Sequence, residues 1–173
     1  MTATRILEAL TAAVPLRGHT AAYSLLRVTY GAIMVTHGLP KLLGQAHGSM
    51  GDPMVSSTRL IEQVLHLPFP GAFALMVALL EAVGGLMLAL GLGTRAIALL
   101  MAIQMAAITY ILGPTWAWID RGIEYPVLML VLSLYIVLRG PGWYSLDTGV
   151  WRLLTQRTGP FAPTKGSERA GQG

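Results

Sequence analysis

Apolar residues gather along this chain into four long blocks separated by polar stretches. The first runs from about Ala21 to Leu43, the second from Phe69 to about Gly93, the third from Ala96 to Gly113 and the fourth from Gly122 to Leu138. A helix of roughly 17–25 apolar residues crosses the hydrocarbon core of a bilayer, so each block is long enough to span. Gly93-Thr94-Arg95 predicts a tight hairpin between the second and third blocks. In the polar connection 44–68, the run STRLIEQVLHL sets Leu60, Ile61, Val64 and Leu65 on one face, the pattern of a short interfacial helix. Pro40 marks a kink or the end of the first block.

Outside the blocks the pattern changes. In residues 1–20, Ile6, Leu7, Leu10 and Val14 fall at helical spacing, which suits a helix lying on a membrane surface or a frayed terminus. There is no long apolar core or cleavage site here, so no removable signal peptide is expected. Residues 21–150 form the transmembrane domain. Residues 151–173 comprise an amphipathic piece containing WRLLTQR and a tail of Gly, Pro, Ser and charge, expected to be a disordered cytoplasmic segment.

Composition turns four helices into a membrane protein. Charged residues make up 12% of the chain and hydrophobic ones 54%. A water-facing surface brings the charged share of a typical soluble domain to about 25%. The fold class expected is all-α: an antiparallel four-transmembrane-helix bundle with short interfacial helices. Eight basic residues, including Arg5, Arg17, Arg95, Arg139 and Arg152, lie on the side of the termini and the 93–95 hairpin. Lys41, Arg59 and Arg121 lie on the other. The positive-inside rule then puts both termini in the cytoplasm. Trp116 and Trp118 would mark the outer interface, and Trp143, Tyr144 and Trp151 the inner one. The cations form no nucleic-acid footprint, and their placement suits lipid headgroups. The chain has no cysteine, which excludes disulfides, thiolate metal sites and haem attached through Cys.

Ionisable residues inside the spans are the candidate chemistry, since such groups are costly in lipid and face protein or water. At 100° per residue, Arg27, Gly31, Met34, Gly38 and Lys41 share one face of the first helix, with Tyr30 and His37 at its edge. Glu81 lies beside a stripe of Ala78, Ala82, Gly85 and Ala89, small residues that allow another helix to approach. Arg27 with Glu81 is the natural ion pair to expect, and Glu124 the natural partner of Lys41 or His37. Two readings stay open. The pairs hold the helices together, or His37, Lys41, Glu81 and Glu124 line a polar pocket open to the outer face and suited to a quinone headgroup, a small anion or a proton. No histidine pair has metal-ligand spacing, so no metal site is expected. The nine methionines are scattered and read as packing.

Three segments resemble the DoxX family of small four-helix bacterial membrane proteins: RVTYGAIMVTHGLPKLLG from Arg27, LLEAVGGLMLALGLGTR from Leu79, and Glu124 followed by an apolar span and GPGWYSLD from Gly140. The resemblance covers roughly Tyr23 to Asp147 and nothing beyond Trp151. It implies a multi-pass protein of the bacterial inner membrane, associated with redox chemistry through relatives that are subunits of a thiosulfate:quinone oxidoreductase. Arg27, His37, Lys41, Glu81, Arg95, Glu124 and Asp147 are the positions matching the family's polar residues. Asp147 is expected to cap the amphipathic helix that follows it.

Three functions compete. The first is a redox-associated membrane subunit that binds quinone or anchors an oxidoreductase partner, without an intrinsic cofactor. The second is a non-enzymatic scaffold or assembly factor. The third is a small-molecule or ion pathway, which four helices would build only as a homo-oligomer. At most the chain is one subunit of a membrane oxidoreductase.

Overall fold

A computed structural model of the chain describes residues 16–157. The expectations for residues 1–15 and for the tail 158–173 lie outside the described residues. Helix α1 spans Leu16–Leu43 and contains Pro40 in its last turn. It begins five residues before the apolar block, because its first turns carry polar residues that an apolarity pattern does not mark. Helix α2, Pro53–Leu60, starts where Asp52 accepts the Val55 N–H at 2.9 Å, and Pro53 fills a first-turn position where no N–H is needed. It runs on as a π-turn, Ile61–Leu65.

Helix α3, Pro70–Leu90, is interrupted by a second π-turn at Leu80–Gly84. It ends in a Schellman motif: the Leu92 N–H reaches Met87 O at 2.8 Å and the Gly91 N–H reaches Leu88 O at 3.1 Å. Gly91 takes φ +74° there, a conformation open to glycine. Helix α4 spans Thr94–Leu112, α5 Glu124–Arg139 and α6 Leu146–Arg157. A 3-10 turn at Trp118–Asp120 lies in the α4–α5 connection. The described residues contain no strand, only an isolated bridge between His47 and Met50.

Two seams dominate. Helix α4 packs along α5, and α1 packs along α3. Between α1 and α3 the backbones touch. A Cβ on Gly31 would strike Gly85 O and lie 2.7 Å from Ala89 N. One on Gly38 would strike Ala82 N and lie 2.7 Å from Glu81 Cβ and 2.8 Å from Ala78 O. Residue numbers rise along α1 as they fall along α3, so the two helices run in opposite directions. The buried core is Tyr30, Met34, Leu88, Ala98, Met101, Met105, Met129 and Ile136. Tyr30 Oη and Ser133 Oγ, 2.6 Å apart, tie α1 to α5 inside it.

Large apolar side chains also cover the outside. Leu86 on α3, Ile103 on α4 and Leu138 on α5 are exposed, the last by 80%. Two helices, Pro70–Leu90 and Thr94–Leu112, are long and apolar enough to cross a membrane.

The seam gives a direct prediction. Gly38→Leu has no space against the α3 backbone, and overpacking of this kind typically costs about 1–3 kcal/mol, more where backbone blocks relaxation. Gly71 lies in α3 with nothing within 4 Å of an added Cβ. Thermal unfolding in mild detergent is expected to show a clear loss for Gly38→Leu and none for Gly71→Ala.

Candidate functional site

The charged residues separate into two groups at opposite ends of the α1–α3 seam. Glu81 is 2% exposed and lies in the α3 π-turn, a widened helical segment often found at functional sites. Lys41 Nζ donates to Glu81 Oε2 at 2.6 Å, and Gln104 Nε2 of α4 donates to Glu81 Oε1 at 2.6 Å. One carboxylate thus joins α1, α3 and α4.

Arg27 does not meet Glu81. It is 1% exposed, and its Nη1 donates to Pro141 O at 3.1 Å and its Nη2 to Tyr144 O at 2.6 Å. The reason is height along the helix. Fourteen residues separate Arg27 from Lys41, which is about 21 Å at 1.5 Å per residue. The Gly38 contact sets Glu81 level with the Lys41 end. The Arg27 guanidinium sits against Gly91, at the far end of α3, where a Cβ would collide with it. Lys41, expected to meet Glu124, makes its ion pair with Glu81.

The loop that receives Arg27 is bonded at several points. Tyr23 Oη donates to Gly140 O, and the Arg139 guanidinium lies over the Tyr23 ring, 5.3 Å from its centroid. Asp147 corrects the capping expectation. Its carboxylate accepts from the N–H of Gly93 at 2.8 Å, and from the N–H and hydroxyl of Thr94, each at 3.0 Å. It therefore caps α4, fifty-three residues away from Thr94. Its own helix is started by Ser145, whose Oγ accepts the Thr148 N–H at 3.2 Å. Burial pushes the Asp147 carboxyl up, but the donors of Thr94 and Gly93 and the nearby Arg27 charge outweigh it and hold the group below its ordinary value.

The Lys41–Glu81–Gln104 cluster lies in the wall of a cleft of about 1010 Å³, formed by α1, α2, α3, α4 and α5. Met, Leu and Ile side chains make about half of the lining. His37, Lys41, Glu81 and Glu124 all lie along it, and Arg27 does not. The stripe Ala78, Ala82, Gly85, Ala89 faces Gly31 and Gly38 on the α1 side.

Two cleft residues escape a sequence reading. His47 belongs to the connection after α1, yet its ring sits 4.7 Å from that of His37, with Tyr125 6.5 Å from His37. The turn is set by paired bonds between His47 and Met50 and by Arg121 Nη2 donating to Ser49 Oγ at 2.7 Å. The His47–Met50 bonds are local, but the Arg121 bond and the ring contacts are tertiary and have no local motif. Gln104 stands out as the polar interruption of its span, but only the packing of α4 on α3 gives it a partner. Among the described residues no group of three or more His, Cys, Asp or Glu is arranged to hold a metal ion.

With the geometry in place, the comparison with known proteins is informative. The DoxX family model matches residues 22–114, more than half of the chain. The chain belongs to the DoxX family. A protein of Bacillus subtilis (strain 168) named "Putative oxidoreductase CatD" is 30% identical over 135 residues, covering 74% of this chain and 86% of its own length. An "Uncharacterized protein" of Haemophilus influenzae is 29% identical over 133 residues, covering 70% of this chain and 85% of its own. No solved structure matches. The DoxX match takes in α1 to α4 and so contains Lys41, Glu81 and Gln104. The GPGWYSLD loop lies beyond it.

Two predictions follow from these sites. Removing one partner of a buried ion pair strands the other charge and typically costs about 3–5 kcal/mol. Lys41→Met and Glu81→Leu are each expected to lower the thermal transition sharply, and the double variant to regain much of the loss. A double-variant loss equal to the sum of the two single losses would show that the pair has no coupling. For Asp147, a depressed carboxyl stabilises the fold above the unfolded-state value of 3.8, and the contribution is lost as pH falls through the lower folded value. Asp147→Ala is expected to cost about 1 kcal/mol, as for other lost helix caps. The gap between wild type and Asp147→Ala, read from unfolding curves in detergent at pH 7 and near pH 3, is expected to narrow as the pH falls.

Proposed function

We propose that this DoxX protein is a multi-pass subunit of the bacterial inner membrane that takes a quinone into the cleft between its helices and works with an oxidoreductase partner. One observation carries the reading: a buried, hydrogen-bonded charge cluster stands in the wall of a large apolar cleft. A ligand with a long apolar body and a small polar head complements that combination. Ligand pockets run to about 300–1,000 Å³ with mostly apolar linings and a few placed polar groups, and this cleft lies at the upper end of that range. The family and the name of the Bacillus relative support redox chemistry. The partner supplies the electron-transfer centre, and this chain supplies the ligand site and the membrane anchor.

On this reading α1, α3, α4 and α5 span the bilayer as an antiparallel bundle with both termini in the cytoplasm. The exposed apolar surface supports it, since α1 and α5 turn Leu25, Leu39, Leu128 and Val131 outward just as α3 and α4 do theirs. Of the polar residues that dilute the apolarity of α1, Arg27 and Tyr30 are buried. The inner end then carries Arg95, Arg139 and Arg152, as the positive-inside rule requires.

The test is chemical. The protein is purified from its membrane in mild detergent and its bound small molecules are extracted and weighed by mass spectrometry. Quinone close to one per chain is expected. Ala107 lines the cleft, and Ala107→Trp places a bulky ring in it. Loss of the quinone in a well-folded Ala107→Trp sample supports the site, whereas equal quinone in both samples places it elsewhere.

A further inference from the structure

Gln104 carries a polar atom that the fold leaves unpaired. It is 6% exposed, its Nε2 is committed to Glu81, and its Oε1 is buried with no hydrogen-bond partner in the protein. The orientation of the amide is fixed by chemistry. Glu81 accepts from Lys41 at 2.6 Å as a carboxylate, and a carboxylate only accepts, so the NH₂ end of Gln104 must face it. The oxygen end is then the acceptor left over. An unpaired buried acceptor is a cost that native proteins rarely carry without a use.

The same carboxylate holds both neighbours. Lys41 Nζ and Gln104 Nε2 bond to the two oxygens of one Glu81 group, which brings their side-chain ends within the reach of a single small headgroup. Lys41 has three N–H donors and spends one on Glu81. The wall of the cleft therefore offers a donor from Lys41 beside an acceptor from Gln104. A hydroxyl matches both, since it donates one bond and accepts others. A carbonyl matches only Lys41 and leaves the Gln104 oxygen unpaired.

We infer that Gln104 makes the cleft selective for the reduced, hydroxyl-bearing form of its ligand, so that it holds a quinol in preference to the quinone. The inference rests on the cleft being a quinone site and adds the redox state that the site prefers. Gln104 is a specificity residue here: its oxygen touches the headgroup and Glu81 fixes its direction.

The experiment compares one benzoquinone bearing a decyl tail with the same compound reduced to its quinol and kept anaerobic. Each is titrated by calorimetry into the detergent-purified full chain, with protein-free micelles as the blank. Leaving a buried acceptor unpaired corresponds to roughly ten- to a hundredfold in affinity, so wild type is expected to bind the quinol tighter by at least about tenfold. Gln104→Met keeps the side chain's size and removes its oxygen. It is expected to bring the two affinities within about threefold, with the loss falling on the quinol. Equal affinities in wild type, or a ratio unchanged in Gln104→Met, overturns the inference while leaving the cleft a quinone site. Binding of neither form by wild type overturns the quinone reading and this one with it. If Gln104→Met does not give monodisperse protein, the wild-type ratio alone decides.

Discussion

The contact that the rest of the structure depends on is the backbone approach of α1 and α3 at Gly31 and Gly38. Neither glycine has room for a methyl group, so the two helices meet along a groove that only small residues form. A seam of this kind fixes register. Sliding α1 by one turn, about 5.4 Å, would drive a larger side chain into the α3 backbone. With register fixed, Lys41 has to fall at Glu81 and Arg27 has to fall beside Gly91. The electrostatics of the molecule are in this sense a consequence of its sterics. A buried charge in lipid is tolerated only when paired, so the positions of Lys41, Glu81 and Gln104 are matched to a register that the glycines set.

This order of causes also explains what the amino-acid pattern revealed. Apolar blocks located the helices closely: Ala96–Gly113 against Thr94–Leu112, and Phe69–Gly93 against Pro70–Leu90. Periodicity located faces just as well, since Arg27, Gly31, Met34, Gly38 and Lys41 do share one. A helical wheel, however, gives direction around an axis and not height along it. Arg27 and Lys41 point the same way about 21 Å apart, and only the contact between helices says which of them is level with Glu81. The Arg27–Glu81 pairing failed for that reason. Asp147 failed for a related one. Capping rules are local, and they assign a carboxylate to the helix that follows it. Here the loop folds back, and the exposed N–H groups of α4 present the better site. The π-turn at Leu80–Gly84 left no trace in the pattern, because one extra residue in a turn changes no residue's polarity.

The two ends of the α1–α3 seam solve the problem of buried polarity differently. At the Arg27 end the chain supplies the partners itself. The carbonyls of Pro141 and Tyr144 take the guanidinium, Gly140 takes the Tyr23 hydroxyl, and Asp147 closes the N-terminus of α4. Most of these acceptors are backbone groups of one glycine- and proline-bearing loop, whose position is in turn set by the bonds. The arrangement is mutually determined, and it leaves the buried Nε of Arg27 without a hydrogen-bond partner. It gives the GPGWYSLD segment a structural role even though it carries Asp, Ser and Tyr side chains that a motif search would favour.

At the Lys41 end the same economy is absent. The chain brings a carboxylate, an ammonium and an amide together but spends only part of their bonding capacity, beside a cleft far larger than packing requires. Stability alone does not favour that arrangement. Well-packed apolar residues are commonly as stable as a buried ion pair, and a sealed core avoids an unpaired amide oxygen. What the end retains is a polar spot with free donors and a free acceptor, set in an apolar wall. An amphiphile with a small polar head would convert that cost into binding, and the adjacent Gly38 contact holds the spot in place. The chemistry of the protein is therefore expected where incomplete bonds border the cleft, and its rigidity where the chain packs against its own loop.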